Sequence, residues 1–118
     1  MLINLSNHPS SLWSAAQIEA ARQYGVIEDM SFPVIDPAMS HDEILQCAHE
    51  YAEQIIAKAR KCNIIVHVMG EMNFVYALVE ELKNDGITCV ASTTIRNVTE
   101  EANGMKTSTF NFVQFREY

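Results

Sequence analysis

Asn63 to Met69 reads Asn-Ile-Ile-Val-His-Val-Met, a nearly continuous β-rich run that stops at Gly70. A strand of that composition has no polar face to turn to water. Its natural setting is the middle of a parallel sheet, with helices on both faces. The opening residues Met1 to Leu5 form a second apolar run, too short for a helix and suited to a buried strand. Two such strands in one chain point to alternating strands and helices rather than to an antiparallel sheet open on one side.

The segments between them carry helix signals. Ser14 with Gln17 forms a capping box, followed by Ile18 and Ala21, and Gly25 suits the position after the helix. Val26 to Phe32 reads as strand two, ended by Pro33. Ser40 and Glu43 form a second capping box, behind which Ile44, Ala48, Tyr51, Ile55 and Ala59 recur at helical spacing. A third helix runs from Glu71 or Met72 to Asn84, with Gly86 as its stop. Ile87 to Thr94 is strand four and Thr107 to Phe115 strand five, and the Asn103-Gly104 turn signal between them predicts an antiparallel hairpin.

The order β-α-β-α-β-α-β-β predicts one three-layer, Rossmann-like α/β domain over residues 1–118. Right-handed crossovers give a mostly parallel sheet of order 2-1-3-4, with strand five antiparallel at the edge. Helix one then covers one face, and helices two and three the other.

The formal charge of −7 opposes binding to duplex DNA or RNA, which needs a basic stripe. It leaves room for a small anionic ligand held by backbone amides. Cys47, Cys62 and Cys89 are odd in number and lack metal-type spacing, so neither a disulfide framework nor a zinc site is expected. No apolar stretch approaches the roughly 18 residues that cross a membrane, and the first apolar run lacks a basic leader. A cytoplasmic protein without metal or cofactor is the expectation.

Order 2-1-3-4 reverses direction between strands one and three, and open α/β sheets bind ligands outside the strand ends at such a switch. Two loops meet there, Ser6-Asn7-His8-Pro9-Ser10-Ser11 and Met69-Gly70-Glu71-Met72-Asn73. Asn7, His8, Ser10 and Ser11 offer donors to phosphate or ribose; Asn7 and Ser10 also suit a plain turn and cap. His8 reads either as a working residue or as an ordinary loop histidine. Gly70 permits close backbone approach, but no G-x-G-x-x-G or G-x-x-x-x-G-K pattern accompanies it. Glu71 suits the start of a helix. His67 reads as a satisfied core histidine. Thr93, Thr94 and Arg96 fall at the expected end of strand four, where Arg96 offers a fork to phosphate or to a surface carboxylate.

The opening Leu2-Ile3-Asn4-Leu5-Ser6-Asn7-His8-Pro9, followed by Ser14-Ala15-Ala16-Gln17, resembles small CRISPR-associated proteins with a CARF-like Rossmann fold. In that group an apolar strand runs into a Ser-His or Asn-His-Pro turn and a Gln-bearing helix start. The run Val66-His67-Val68-Met69-Gly70-Glu71-Met72 is compatible with it. The resemblance implies a homodimer that binds a cyclic oligoadenylate across its two-fold axis. In some members the ring is cleaved without metal, by attack of a ribose 2′-hydroxyl. On that resemblance Ser6, Asn7, His8, Ser10 and Ser11 would hold phosphate and ribose, with Gly70, Glu71, Met72, Thr93 and Thr94 beside them. His8 or Arg96 would stabilise developing charge. The chain departs from the pattern in its acidity and its few basic residues. Two other classes stay open, a non-catalytic nucleotide-binding or regulatory module and a protein-interaction subunit.

Overall fold

The computed structural model describes Met1 to Tyr118. Strand β1 (Leu2–Ser6) leads through a short 3-10 turn (Ser10–Leu12) to helix α1 (Ala15–Arg22). There follow β2 (Ile27–Ser31), α2 (His41–Ala59), β3 (Ile65–Met69), α3 (Met72–Asn84), β4 (Thr88–Glu100) and β5 (Lys106–Glu117). The sheet order is β2-β1-β3-β4-β5. Every pair is parallel except β4 with β5. The α/β architecture and the switch between β1 and β3 are therefore as expected.

The two apolar runs occupy the centre because both their faces are covered. Ile3, Leu5, Val66 and Val68 point to one side and join Ile44, Ala48, Ala52 and Ile55 of α2 and Phe74, Leu78 and Leu82 of α3 in a cluster of 16 buried residues. At about 25 cal/mol per Å² of buried apolar surface, this layer is the main stabilising term. The other face of the same strands carries Asn4, Ser6 and His67 beneath the α1 layer, and all three are buried. The helix starts are capped as the spacing indicates: Ser14 accepts from the Gln17 amide and Ser40 from the Glu43 amide. No helix is long and apolar enough to cross a membrane.

One expectation needs correction. Strand four does not stop at Thr94 but runs on to Glu100, paired with β5 as far as Lys106. β3 pairs only with Thr88 to Val90, so from Ala91 onward the hairpin has no other neighbour in the sheet. It forms an arm beyond the carboxyl ends of the parallel strands, turned by Gly104 at φ 83°. The run Ile95 to Glu100 gives no strand pattern in the sequence because an arm in solvent has no dry face to impose alternation. β-branched side chains carry the strand instead. The radius of gyration is 16.2 Å, against about 13 to 14 Å for a rounded chain of this length.

Candidate functional site

A row of polar side chains crosses the α1 face of the sheet at the switch. Gln17 Nε2 donates to Ser92 Oγ at 3.0 Å, and Ser92 Oγ lies 2.7 Å from His67 Nε2. His67 Nδ1 is 2.9 Å from Asn4 Oδ1, and Asn4 Nδ2 donates to Asp29 Oδ1 at 2.8 Å. Asn4 uses its amide protons on Asp29 and the His8 carbonyl, so its oxygen accepts. His67 must then carry its proton on Nδ1 and accept from the Ser92 hydroxyl on Nε2. Every bond in the row donates toward the Asp29 carboxylate, an arrangement in which each bond polarises the next. Burial pushes His67 down to about 4, with nearby His8 adding to the shift. The ring is thus neutral near neutrality, as the relay requires.

Ser92, His67 and Asn4 stand in the order of an activated serine, its base and the base's orienter. Their surroundings argue for structure instead. Trp13 and Phe115 pack edge-on against the His67 ring at 5.2 and 5.4 Å. Ser92 lines none of the principal cavities, and Gln17 already occupies its oxygen. His67 is the core histidine that the sequence indicates.

The row also fixes the first loop. The His8 carbonyl receives Asn4 Nδ2 at 2.8 Å and Trp13 Nε1 at 3.1 Å, with Ser6 Oγ 3.1 Å away. Ser6 Oγ accepts from the His8 amide at 3.2 Å and reaches Asn4 Oδ1 at 2.8 Å. The backbone of the turn is held while the Asn7 and His8 side chains remain exposed. Beside it opens a cavity of about 300 Å³ lined by Asn4, Ser6, Asn7, Asp29, Ser31 and Phe32, among others. Ser11 is exposed in the 3-10 turn.

Asp29 changes the expected chemistry of this loop. Its Oδ1 accepts the Ser10 amide at 3.0 Å and its Oδ2 the Ser10 hydroxyl at 2.8 Å. Those are the donors assigned to phosphate, and a carboxylate of this chain already holds them. Burial raises the Asp29 carboxyl, but the bonds from Asn4 and Ser10 outweigh it and leave it below its ordinary value. Sequence reasoning missed Asp29. The available signal was an acid on the strand next to β1, where nucleotide-binding sheets present one to ribose.

The second loop starts beside the first, Met69 being paired with Ser6, but lines other cavities. The Glu71 carboxylate caps α3, accepting the Asn73 and Phe74 amides at 3.1 and 2.8 Å. It fills the helix end that an anion would use. A Cβ on Gly70 would lie 2.3 Å from the Phe32 ring, so a side chain of this protein takes up the close approach. Gly70 and Met72 line a groove along α3, and Glu71 a cavity between the α2 and α3 starts. None of the principal cavities is lined by both loops. Thr93, Thr94 and Arg96 are not at a strand end but within β4. Thr93 Oγ1 lies 3.2 Å from both the Gln114 carbonyl and the Gln114 amide, and Arg96 donates to Ser108 on the arm. Arg96 is about 13 Å along the strand from Ser92.

No group of three or more His, Cys, Asp or Glu side chains converges as metal ligands. No curated protein matches the sequence. Residues 1–116 match the family described as "Uncharacterized protein MJ1673 family". With nearly the whole length matched, from the first residue of β1 to the last turn of the ladder in β5, the chain belongs to the MJ1673 family.

Proposed function

We propose that the chain binds a cyclic oligoadenylate messenger of CRISPR defence at the carboxyl ends of β1 and β2, in the cytoplasm and as a homodimer. The observation that carries this reading is the Ser6–Ser10 turn. Its backbone is held from several sides, while Asn7 and His8 face solvent and Asn7 lines the strand-end cavity. A turn fixed before the ligand arrives loses little entropy on binding. The cavity opens at the carboxyl ends of the parallel strands, one strand over from the β1/β3 switch where open α/β sheets take ligands, and the resemblance of the opening residues supplies the nucleotide class. Asp29 suits a ribose hydroxyl, which can donate to a carboxylate.

Ring cleavage would proceed by attack of a 2′-hydroxyl on the adjacent phosphate, which forms a 2′,3′-cyclic phosphate, breaks the bond to the 5′-oxygen and passes a proton from the 2′- to the 5′-oxygen; His8 would meet the developing charge. The Asp29 and Glu71 carboxylates and the distance of Arg96 favour a second reading, a module that binds the ring and leaves it intact.

Calorimetric titration with cyclic tetra- and hexa-adenylate tests the proposal, with linear triadenylate as control. The expected result is binding of one ring per two chains, lost in His8→Ala without a change in thermal midpoint. Recovery of unchanged ring after prolonged incubation selects the binding module over the nuclease. If neither ring binds, the nucleotide reading fails and a protein-interaction subunit takes its place.

A further inference from the structure

Nine of the thirteen exposed large hydrophobic side chains gather at two places. Five belong to the β4–β5 arm, where Phe110, opposite Arg96, shares one face with Val98, and Ile95 lies on the other. Four belong to the groove along α3: Met69, Met72, Tyr76 and Tyr118. Met72 is 78% exposed, Tyr76 72% and Phe110 66%. The groove encloses about 950 Å³, more than either cavity beside the Ser6–Ser10 turn or the α2 start.

We propose that the arm of one molecule packs into the α3 groove of a second copy, which returns the contact with its own arm. The inference does not rest on nucleotide binding. The arm face that carries Val98 and Phe110 and the apolar groove along α3 supply two halves of one contact on the same chain, and a two-fold operation closes both contacts at once. The arm cannot fill its own groove. It leaves the sheet beyond Ala91, whereas the groove runs back along α3 to Lys83 and Tyr118. Phe110, opposite Arg96, lies about 24 Å along the strand from Cys89, next to which Tyr118 is bonded.

Two further observations point to a second copy. A two-stranded hairpin alone in water is marginal, and this one runs with both edges unpaired from Ala91 to its tip. The charges also match: the groove carries Glu80 and Lys83, and the arm sets Glu100 opposite Lys106. An exchange can therefore pair unlike charges at the groove ends.

Sedimentation velocity without ligand tests the proposal on three proteins. These are the parent, an arm variant (Val98→Glu with Phe110→Glu) and a groove variant (Met72→Glu with Tyr76→Glu). All four positions are exposed, so each variant should keep its circular dichroism spectrum. The parent should sediment as a dimer at micromolar concentration and each variant as a monomer. Mixing the two variants leaves one intact contact, between the groove variant's arm and the arm variant's groove, and should give more dimer than either variant alone at the same concentration. As a second measurement, the parent's arm amides should gain protection from hydrogen exchange as concentration rises. A monomeric parent, a dimeric arm variant or a dimeric groove variant overturns the inference. Loss of ring binding alone leaves it standing and overturns only the nucleotide reading.

Discussion

His67 shows how one residue couples burial, hydrogen bonding and pH. Its ring belongs to a donor row that works only while the imidazole is neutral, and burial holds its pKa at about 4 against an ordinary 6.5. The folded state therefore binds fewer protons than the unfolded state between those values. Stability is full above about pH 6.5, falls as pH drops through the window, and stops changing for this group below about 4. The total is about 3 kcal/mol. Urea midpoints between pH 7 and 4 should show this slope, and His67→Gln should be less stable at pH 7 but flatter below it. Asp29 acts lower. Its depressed carboxyl contributes stability that is lost only as pH falls below its ordinary 3.8. Asn4 is the other test at this scale. Asn4→Ala leaves His67, Asp29 and the His8 carbonyl each short of a partner. The cost should be on the order of 2–3 kcal/mol by chemical denaturation. An effect below about 0.5 kcal/mol would mean that water replaces the amide fully.

At the scale of elements, contact between neighbours decides what each residue means. Gly70 invites a reading as a ligand-approach glycine, yet the Phe32 ring at the end of β2 occupies the space. Phe32 in turn meets Phe74 of α3 at 5.1 Å, and Tyr51 of α2 meets Phe74 at 5.4 Å. The glycine thus lets β2, α2 and α3 close on one another. Gly70→Ala should cost about 1–3 kcal/mol by overpacking. Phe32→Leu in the same chain should recover part of that loss, a coupling readable in a double-mutant cycle. Independent, additive losses would show that the ring simply swings aside.

For the whole molecule, stability is graded across the layers. α2 and α3 bury residues on nearly every turn, whereas α1 buries only Ala21 and is held by Gln17, Trp13 and their partners. Amides of β1 and β3 should exchange with solvent only on global unfolding, and those of α1 by a cheaper local opening. Equal protection in α1 and α2 would contradict this ranking. The consequence for function is direct, since α1 roofs the polar row and its 3-10 lead-in carries the turn at the proposed site.

Local pattern alone determined the element order, the capped helix starts, the central placement of β1 and β3, and hence the sheet order. These follow from periodicity and from the need to cover strands that are apolar on both faces. The exposed positions of Asn7 and His8 were legible as well, because a proline turn after a buried strand leaves little choice. What the donors of the site are bonded to was decided only by the tertiary structure. Ser10 faces Asp29, Glu71 caps its own helix and Gly70 lies under Phe32, all through contacts between side chains brought together by folding. The reach of the arm was hidden for a related reason. A strand surrounded by water carries no burial pattern, so only its pairing with β5 reveals it.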